Sequence, residues 1–495
     1  MASRETHLGL LSCVVVASLA DFAAASPGFE RAQHRRIDVV MIGDSNQLFG
    51  GHGWDESFQI ALAERYGVYG TGLHSLGENG GNGAAVGLNA STFSTLSQGG
   101  YLYAGAPQAS DALLPAAAAC VPLNYAFIPV GSTTTTNLGM FLQSGPALNV
   151  DGPLRGFLAT AGSTEFTGTF RISFRREAPP FNTLVQSGPL TTSGPAGSVI
   201  WHELDLPAGT RGSVISLRTP GFATPLSGPF MGLYARVIDT SRDRGVSVHT
   251  LYGRGSQSLR SMAAAMQGMQ TTGLGEFLDA IVRQQGESTP HVIVRINSGL
   301  NDRNETLASL GPANVQDGDS AEAFADNAVA IITALQQAWT SKGLPLEGLR
   351  FVLTSSHPIS MPNDAELASY AAALPGVASR FAPGLVTAVA LEELISADAM
   401  LSRGYYTNPG DRFHLSRAGF LALTQLEVEA VMGCDTIDFN NNAVFPEDQD
   451  VIDFFNVLAG VECPLCSDID FNNNGVFPED QDVIDFLHVL AGGAC

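Results

Sequence analysis

The chain has 495 residues, of which 45% are hydrophobic and only 15% charged, enough apolar mass for two to four domains with sizeable cores. Its formal net charge of −23 argues against nucleic acid and an anionic membrane surface as partners. The 54 Gly and 26 Pro demand many turns and short strands, and Lys342 is the only lysine.

Residues 1–26 read as a secretory signal. Arg4 lies in the n-region, residues 8–20 form the apolar core, and Ala23-Ala24-Ala25 offers small residues for cleavage; Asp21 departs from the pattern. No later stretch reaches about 18 uninterrupted apolar residues, so no membrane span is expected. The expectation is an exported protein, secreted, periplasmic or on the cell surface. Cleavage would remove Cys13. Cys434, Cys463, Cys466 and Cys495 lie in one short tail at equal separations, which favours Cys434–Cys463 and Cys466–Cys495 among the three connectivities four cysteines allow. Cys120 is expected as a buried thiol.

The first structured stretch is Ile37-Asp38-Val39-Val40-Met41-Ile42-Gly43-Asp44-Ser45-Asn46, an apolar strand that stops at Gly43, with Ser45 in the turn and a helix over 57–65. Strand, tight turn, Ser, helix is how an α/β sheet presents a nucleophile at its carboxyl edge. Residues 67–125 are Gly- and Ala-rich and give no clear elements. From 126 to 240 short β-rich runs alternate with Gly/Pro turns (166–174, 198–206, 212–217, 232–238), the spacing of a β-sandwich. The α/β pattern resumes with a strand at 246–251, helices at 259–269 and 274–285, a strand at 291–296, a helix at 321–340, strands at 349–354 and 386–391, and a helix at 417–431. Strands alternating with helices predict a parallel, doubly wound, flavodoxin-like sheet interrupted by an all-β insertion. The domains expected are therefore 27–125 with 241–432, an insertion at 126–240, and a small α-helical tail at 433–495.

That tail repeats itself: 438–448 recurs at 470–480, each copy followed by an amphipathic helix. It holds 13 acidic residues and no Lys or Arg. Asp438, Asn440, Asn442 and Asp470, Asn472, Asn474 fall at loop positions one, three and five, where a calcium loop places oxygen ligands, and Gly475 fits position six. The repeats resemble EF-hand-like, dockerin-type calcium repeats, which implies bound Ca2+ and a protein partner for the tail. Ala443 replaces the glycine in the first copy, and position twelve is Gln449 or Gln481, with Asp450 and Asp482 one residue later. Disulfide-closed helical repeats with Asx turns are the bland alternative.

The polar strand ends form an ordered set: Gly43-Asp44-Ser45, Gly253-Arg254-Gly255-Ser256, Gly299-Leu300-Asn301-Asp302, and Asp411-Arg412-Phe413-His414. In order and placement this resembles the SGNH, or GDSL-type, hydrolase superfamily over about 37–66 and 245–431. The resemblance implies a Ser45 nucleophile, a His414 base oriented by Asp411, and an oxyanion hole from Ser45, Gly255 and Asn301. Position 46 is Asn where many members carry Leu, and about 200 residues separate the first two blocks, far more than usual. The assignment of Gly255 requires 246–251 to be the next sheet strand, and Gly253 is its rival. Two functions stay open. One is a serine esterase acting on an acylated, chiefly O-acetylated, carbohydrate with no cofactor for catalysis. The other is a non-catalytic, calcium-dependent glycan-binding protein on the same scaffold. His52 is expected on a surface loop; His249, His291 and His357 are expected to be structural.

Overall fold

The computed structural model describes residues 28–47, 53–70, 72–75, 88–89, 101–104, 124–128, 138–142, 153–161, 169–176, 183–191, 193–195, 199–206, 213–218, 230–253, 258–268, 270–303, 318–359, 364–431, 437–440, 442, 444, 447–463, 465–467, 469, 471 and 478–491. Five strands form one parallel sheet: β1 (Arg36–Gly43), β2 (Gly245–Gly253), β3 (Val292–Asn297), β4 (Leu349–Thr354) and β5 (Val386–Val389). Their spatial order is β2-β1-β3-β4-β5, with every neighbouring pair parallel. This is the 2-1-3-4-5 order of flavodoxin-like sheets, whose order reverses between β1 and β3.

Alternation along the strands decides which helices cover which face. Val40 and Ile42 point into a cluster with α2 (Leu259–Gly268), α3 (Gln270–Gln285), α4 (Ala321–Ser341) and α5 (Asp364–Ala378). Ile37, Val39 and Met41 point the other way, onto α1 (Trp54–Tyr66) and α6 (Arg417–Val431). Because side chains alternate with period two, one apolar strand feeds both cores, and the sheet is buried on both faces. On α6, Phe420, Leu423, Val428 and Val431 are buried; each contributes about 1.5–3 kcal/mol of burial. None of the described helices is long and apolar enough to cross a membrane.

Between β1 and β2 lie two six-stranded sheets whose strand pairs are antiparallel. Their long strands include Leu154–Ala161, Thr169–Arg176, Val199–Leu206, Ser213–Arg218 and Phe230–Asp239. Short strands at His74–Ser75, Leu88–Asn89 and Tyr101–Ala104 pair into the same sheets, so the antiparallel pairing reaches back before residue 126. Phe230–Asp239 runs through a short turn directly into β2. It is tied there by a buried network: Asp38 Oδ1 accepts from Arg236 Nη2 (2.7 Å), Tyr69 Oη (2.5 Å) and His249 Nε2 (2.6 Å). Asp38, Arg236, Tyr69 and His249 are fully buried.

Two local readings change. The helix Asp364–Ala378 has no counterpart among the elements read from sequence; Pro375 lies inside its last turn and masks the signal. Residues 406–415, given no element from sequence, fold as a hairpin, β6 (Tyr406–Asn408) with β7 (Asp411–Leu415).

In the tail, α7 (Asp448–Leu458) and α8 (Asp480–Leu490) close over Phe439, Phe454, Phe471 and Phe486, two from each repeat. Phe454 and Phe486 stack with ring centroids 4.0 Å apart. The favoured one-bridge-per-repeat pairing is corrected: Cys463 bonds Cys466. A turn between the repeats, closed by Cys466 N–H to Cys463 O, brings their Cα atoms to 5.3 Å, inside the range a disulfide spans. Cys434, Cys495 and Cys120 lie outside the described residues.

Candidate active site

β1 ends at Gly43, and the chain turns at once into a short 3-10 segment, Ser45–Gln47. Asp44 builds this turn. Its Oδ1 accepts from Asn46 N–H at 2.9 Å and its carbonyl accepts from Gln47 N–H at 3.1 Å. Asp44 is buried, and burial pushes its carboxyl up from the usual range. The segment then passes close under the start of α1. A Cβ on Gly53 would sit 2.0 Å from the Gln47 carbonyl oxygen, so only glycine permits this approach.

The hairpin β6–β7 brings the second half of the site. Ser45 Oγ lies 3.3 Å from His414 Nε2, and His414 Nδ1 lies 3.0 Å from Asp411 Oδ2. An ionised carboxylate only accepts, so Nδ1 carries the imidazole proton and Nε2 is left to accept from the Ser45 hydroxyl. The other Asp411 oxygen accepts from the backbone N–H groups of Phe413 and His414 (3.1 and 3.2 Å). Asp411 and His414 each keep about a third of their side-chain surface, 31% and 30%. The Ser–His separation is at the loose end of a hydrogen bond, as is common in a site without substrate.

Several residues to which sequence reasoning gave no place in the site hold this hairpin. Asn46 Nδ2 donates to the Phe413 carbonyl at 3.0 Å, which couples the Ser45 turn to the strand carrying His414. The Asn in place of Leu at this position thereby has a job. On the other side His357 Nε2 donates to the Arg412 carbonyl (3.1 Å), and Tyr406 Oη donates to the Pro358 carbonyl (2.7 Å). His357 is buried and pushed down to about 4, by desolvation first, so it stays neutral near pH 7. Asn408 Oδ1 accepts from the N–H groups of Gly410 and Asp411 and closes the hairpin turn. None of these is legible as a motif, because each joins segments far apart or caps a turn any Asn can cap.

The next two blocks follow the neighbouring strands. β2 pairs in parallel with β1, Gly43 opposite Gly253, as the Gly255 assignment requires. Gly255 itself lies outside the described residues. Asn301 sits in the turn after β3, the neighbour of β1 on its other side, beside Gly299 at φ +134°, a conformation that favours glycine. Asp302 ties the two loops together: Oδ1 accepts from Leu259 N–H at the start of α2 (2.8 Å) and Oδ2 from Ser298 Oγ (2.9 Å). Below the turns, Arg295 on β3 forms a fully buried bidentate pair with Glu427 on α6, both bonds 2.7 Å. Its guanidinium lies over Trp54 and Phe58 of α1. A planar fork suits such a bidentate, stacked position.

In the first tail loop, Asp438 Oδ1 and Asn440 Oδ1 accept from Asn442 N–H. Asn440 Nδ2 lies 3.1 Å from an Asp453 carboxylate oxygen and 3.5 Å from one of Glu447. Asp450 Oδ1 lies 3.5 Å from Asn440 N, and Asp450 is fully buried. Among the described residues no group of three or more His, Cys, Asp or Glu is arranged to hold a metal ion. Asp470, Asn472 and Asn474 lie outside them, as does His52.

No family model and no curated protein matches the chain. Solved structures similar to it include a peptidoglycan O-acetylesterase, 14% identical over 83% of this chain and 96% of that one, with a TM-score of 0.48. A family two carbohydrate esterase from Clostridium thermocellum in complex with cellohexaose is 10% identical over 67% and 97%, TM-score 0.24. A family 3 carbohydrate esterase from Clostridium thermocellum is 15% identical over 37% and 76%, TM-score 0.21.

Proposed function

We propose that the chain is an extracellular serine esterase of SGNH type that removes acyl groups, chiefly O-acetyl, from a carbohydrate. The observation that supports it most directly is the line Ser45 Oγ, His414 Nε2, His414 Nδ1, Asp411 Oδ2, at 3.3 and 3.0 Å, at the carboxyl end of β1. In this reading His414 takes the Ser45 proton as the hydroxyl oxygen attacks the ester carbonyl carbon. Asp411 holds the imidazole in the needed tautomer and balances its positive charge. The backbone N–H groups of Ser45 and Gly255 and the Asn301 amide would receive the oxyanion. His414 then gives that proton to the sugar oxygen as its bond to the acyl carbon breaks, so the sugar leaves as a free hydroxyl and Ser45 keeps the acyl group; water, deprotonated by His414, repeats the sequence to release the acid and restore Ser45.

The tail is proposed as a calcium-binding, partner-docking module. Its donor chemistry fits a hard cation: Asp438, Asn440 and Asn442 offer oxygens, Glu447, Asp450 and Asp453 crowd the same loop, and the tail carries no Lys or Arg to balance them. Asp470, Asn472 and Asn474 would serve the second repeat. Each helix also exposes the same pair of apolar positions, Ile452 and Phe455 on α7, Ile484 and Leu487 on α8, a paired surface suited to a protein partner. Calcium at millimolar concentration is expected to raise the melting temperature of the tail transition in calorimetry, and a chelator to reverse it; no shift removes the calcium assignment.

Labelling by a fluorophosphonate probe tests the esterase. The parent chain should label, and Ser45→Ala and His414→Ala should not. A folded parent that stays unlabelled would replace the esterase with the glycan-binding scaffold.

A further inference from the structure

A second feature of the molecule lies at the opposite end of the parallel sheet from Ser45. A crevice of about 300 Å³ opens between the antiparallel sheet and α3. Its sheet wall carries Arg155, Phe157, Trp201 and Glu203, and its helix wall carries Arg283 and Gln284. Arg36, the first residue of β1, forms the floor. From Arg36 to Gly43 the strand is eight residues long, roughly 25 Å at the rise of a strand. The crevice is therefore separate from the Ser45 site, and it is contiguous with the same domain.

Strand register explains why these groups converge. Glu203 lies opposite Phe157, and Asp205 opposite Arg155, while Trp201 is two residues before Glu203. Period two puts all five on one face of the sheet, the face turned toward α3. The chemistry of that face is particular. Its guanidinium groups are already engaged: Arg155 Nε with Asp205 Oδ1 at 2.8 Å, Arg283 Nη2 with Asp279 Oδ2 at 2.6 Å, and Arg36 with the carbonyls of Arg242 and Gln285 at 2.8 and 3.2 Å. A ligand anion would have to break these pairs, so the crevice is not built for one. Two aromatic side chains supply flat apolar area, and the ion pairs supply planar donors and acceptors around it. Gln284 Oε1 accepts from Arg236 Nη1 (3.3 Å), which leaves its NH2 to donate. Trp201 Nε1 is buried without an acceptor among the described residues, a cost that a ligand oxygen would relieve.

We propose that this crevice is a second binding site, for one or two rings of an uncharged saccharide. The C–H face of a sugar packs on Trp201 and Phe157, and its hydroxyls meet Glu203, Gln284 and the paired guanidinium groups. The inference does not rest on the esterase reading, since it requires binding alone. If both hold, the chain grips a polysaccharide at two points on one domain, and the second grip raises the local concentration of acylated units at Ser45.

The three tryptophans make the test specific, because Trp54 and Trp339 are fully buried and Trp201 is only partly so. The intact chain carrying Ser45→Ala is titrated with cello-, xylo- and chito-oligosaccharides of six units, and with an oligogalacturonate, by calorimetry and by tryptophan emission. At least one uncharged series should bind saturably and change the emission. Adding the exposed Glu203→Ala should weaken that binding about tenfold with the melting temperature unchanged, and Trp201→Ala should weaken it at least as much while lowering the melting temperature through lost packing. No binding by any uncharged series overturns the proposal, as does binding that both variants leave intact or that only the uronate shows. Fluorophosphonate labelling of the parent reports on the esterase separately, so the two readings fail by different experiments.

Discussion

Among the described residues two Asp–His pairs have similar geometry and different surroundings. His414 Nδ1 lies 3.0 Å from Asp411, and His249 Nε2 lies 2.6 Å from Asp38. His249 spends its other nitrogen as well: Nδ1 accepts from Leu73 N–H at 2.9 Å. It is fully buried, and desolvation first, then Arg236, pushes it down to about 4. Burial alone would raise Asp38, but Arg236 and His249 outweigh it and hold the carboxyl below its usual value. The Asp38 pair is a sealed joint between β1, β2 and the strand Phe230–Asp239. The Asp411 pair is half open, and the second histidine nitrogen faces the Ser45 hydroxyl. An Asp–His contact alone therefore says little about catalysis; what matters is what the second nitrogen meets and whether substrate can reach it.

The largest effect expected from breaking one pair and sparing the other is on turnover. His414→Ala should lower kcat on an acetyl ester by about 10⁶-fold with the melting temperature little changed. Asp411→Asn should cost about 10⁴-fold, because the amide favours the wrong imidazole tautomer. Asp38→Asn should act on the other axis. It leaves Arg236 buried without its counter-charge and should destabilise the fold by about 3–5 kcal/mol in denaturant titration, with activity per folded molecule retained. Loss of activity without loss of stability in that variant would erase the distinction between the pairs.

Acid should act on the buried histidines more gently. His202, His249 and His357 are each pushed down to about 4, by desolvation first, whereas an unfolded chain binds those protons near 6.5. Between those values the unfolded state binds more protons than the native one. Stability is therefore full above about 6.5 and falls as pH drops toward 4. Urea midpoints at pH 7 and pH 5 should show the loss, and an Asp38→Asn background should start from a lower value.

The parallel sheet was legible in the sequence for a physical reason. Strands buried on both faces read as continuous apolar runs, and helices such as 417–431 carry a clean apolar stripe. That Ser45, His414 and Asp411 would lie together was legible too, because each stands at a strand or hairpin end in a short ordered block. What was not legible depends on contacts between distant segments. Asn46 to Phe413, His357 to Arg412 and Asp302 to Leu259 are ordinary polar residues until the fold brings their partners near. The Cys463–Cys466 bridge was missed because equal spacing between repeats looked more informative than the turn between them.

Ser45 and His414 are 369 residues apart in the chain. Their meeting has an order in time: β1 must wait for the antiparallel sheets, four more strands and the hairpin before its serine acquires a base. Such high sequence separation makes the closing step slow compared with local helix formation. A chain emerging from a ribosome would carry Ser45 without His414 beside it for nearly its whole length. Under the proposed esterase reading, activity begins as a late event of folding, and a truncation anywhere before β7 yields a chain with Ser45 and no His414 to serve as its base.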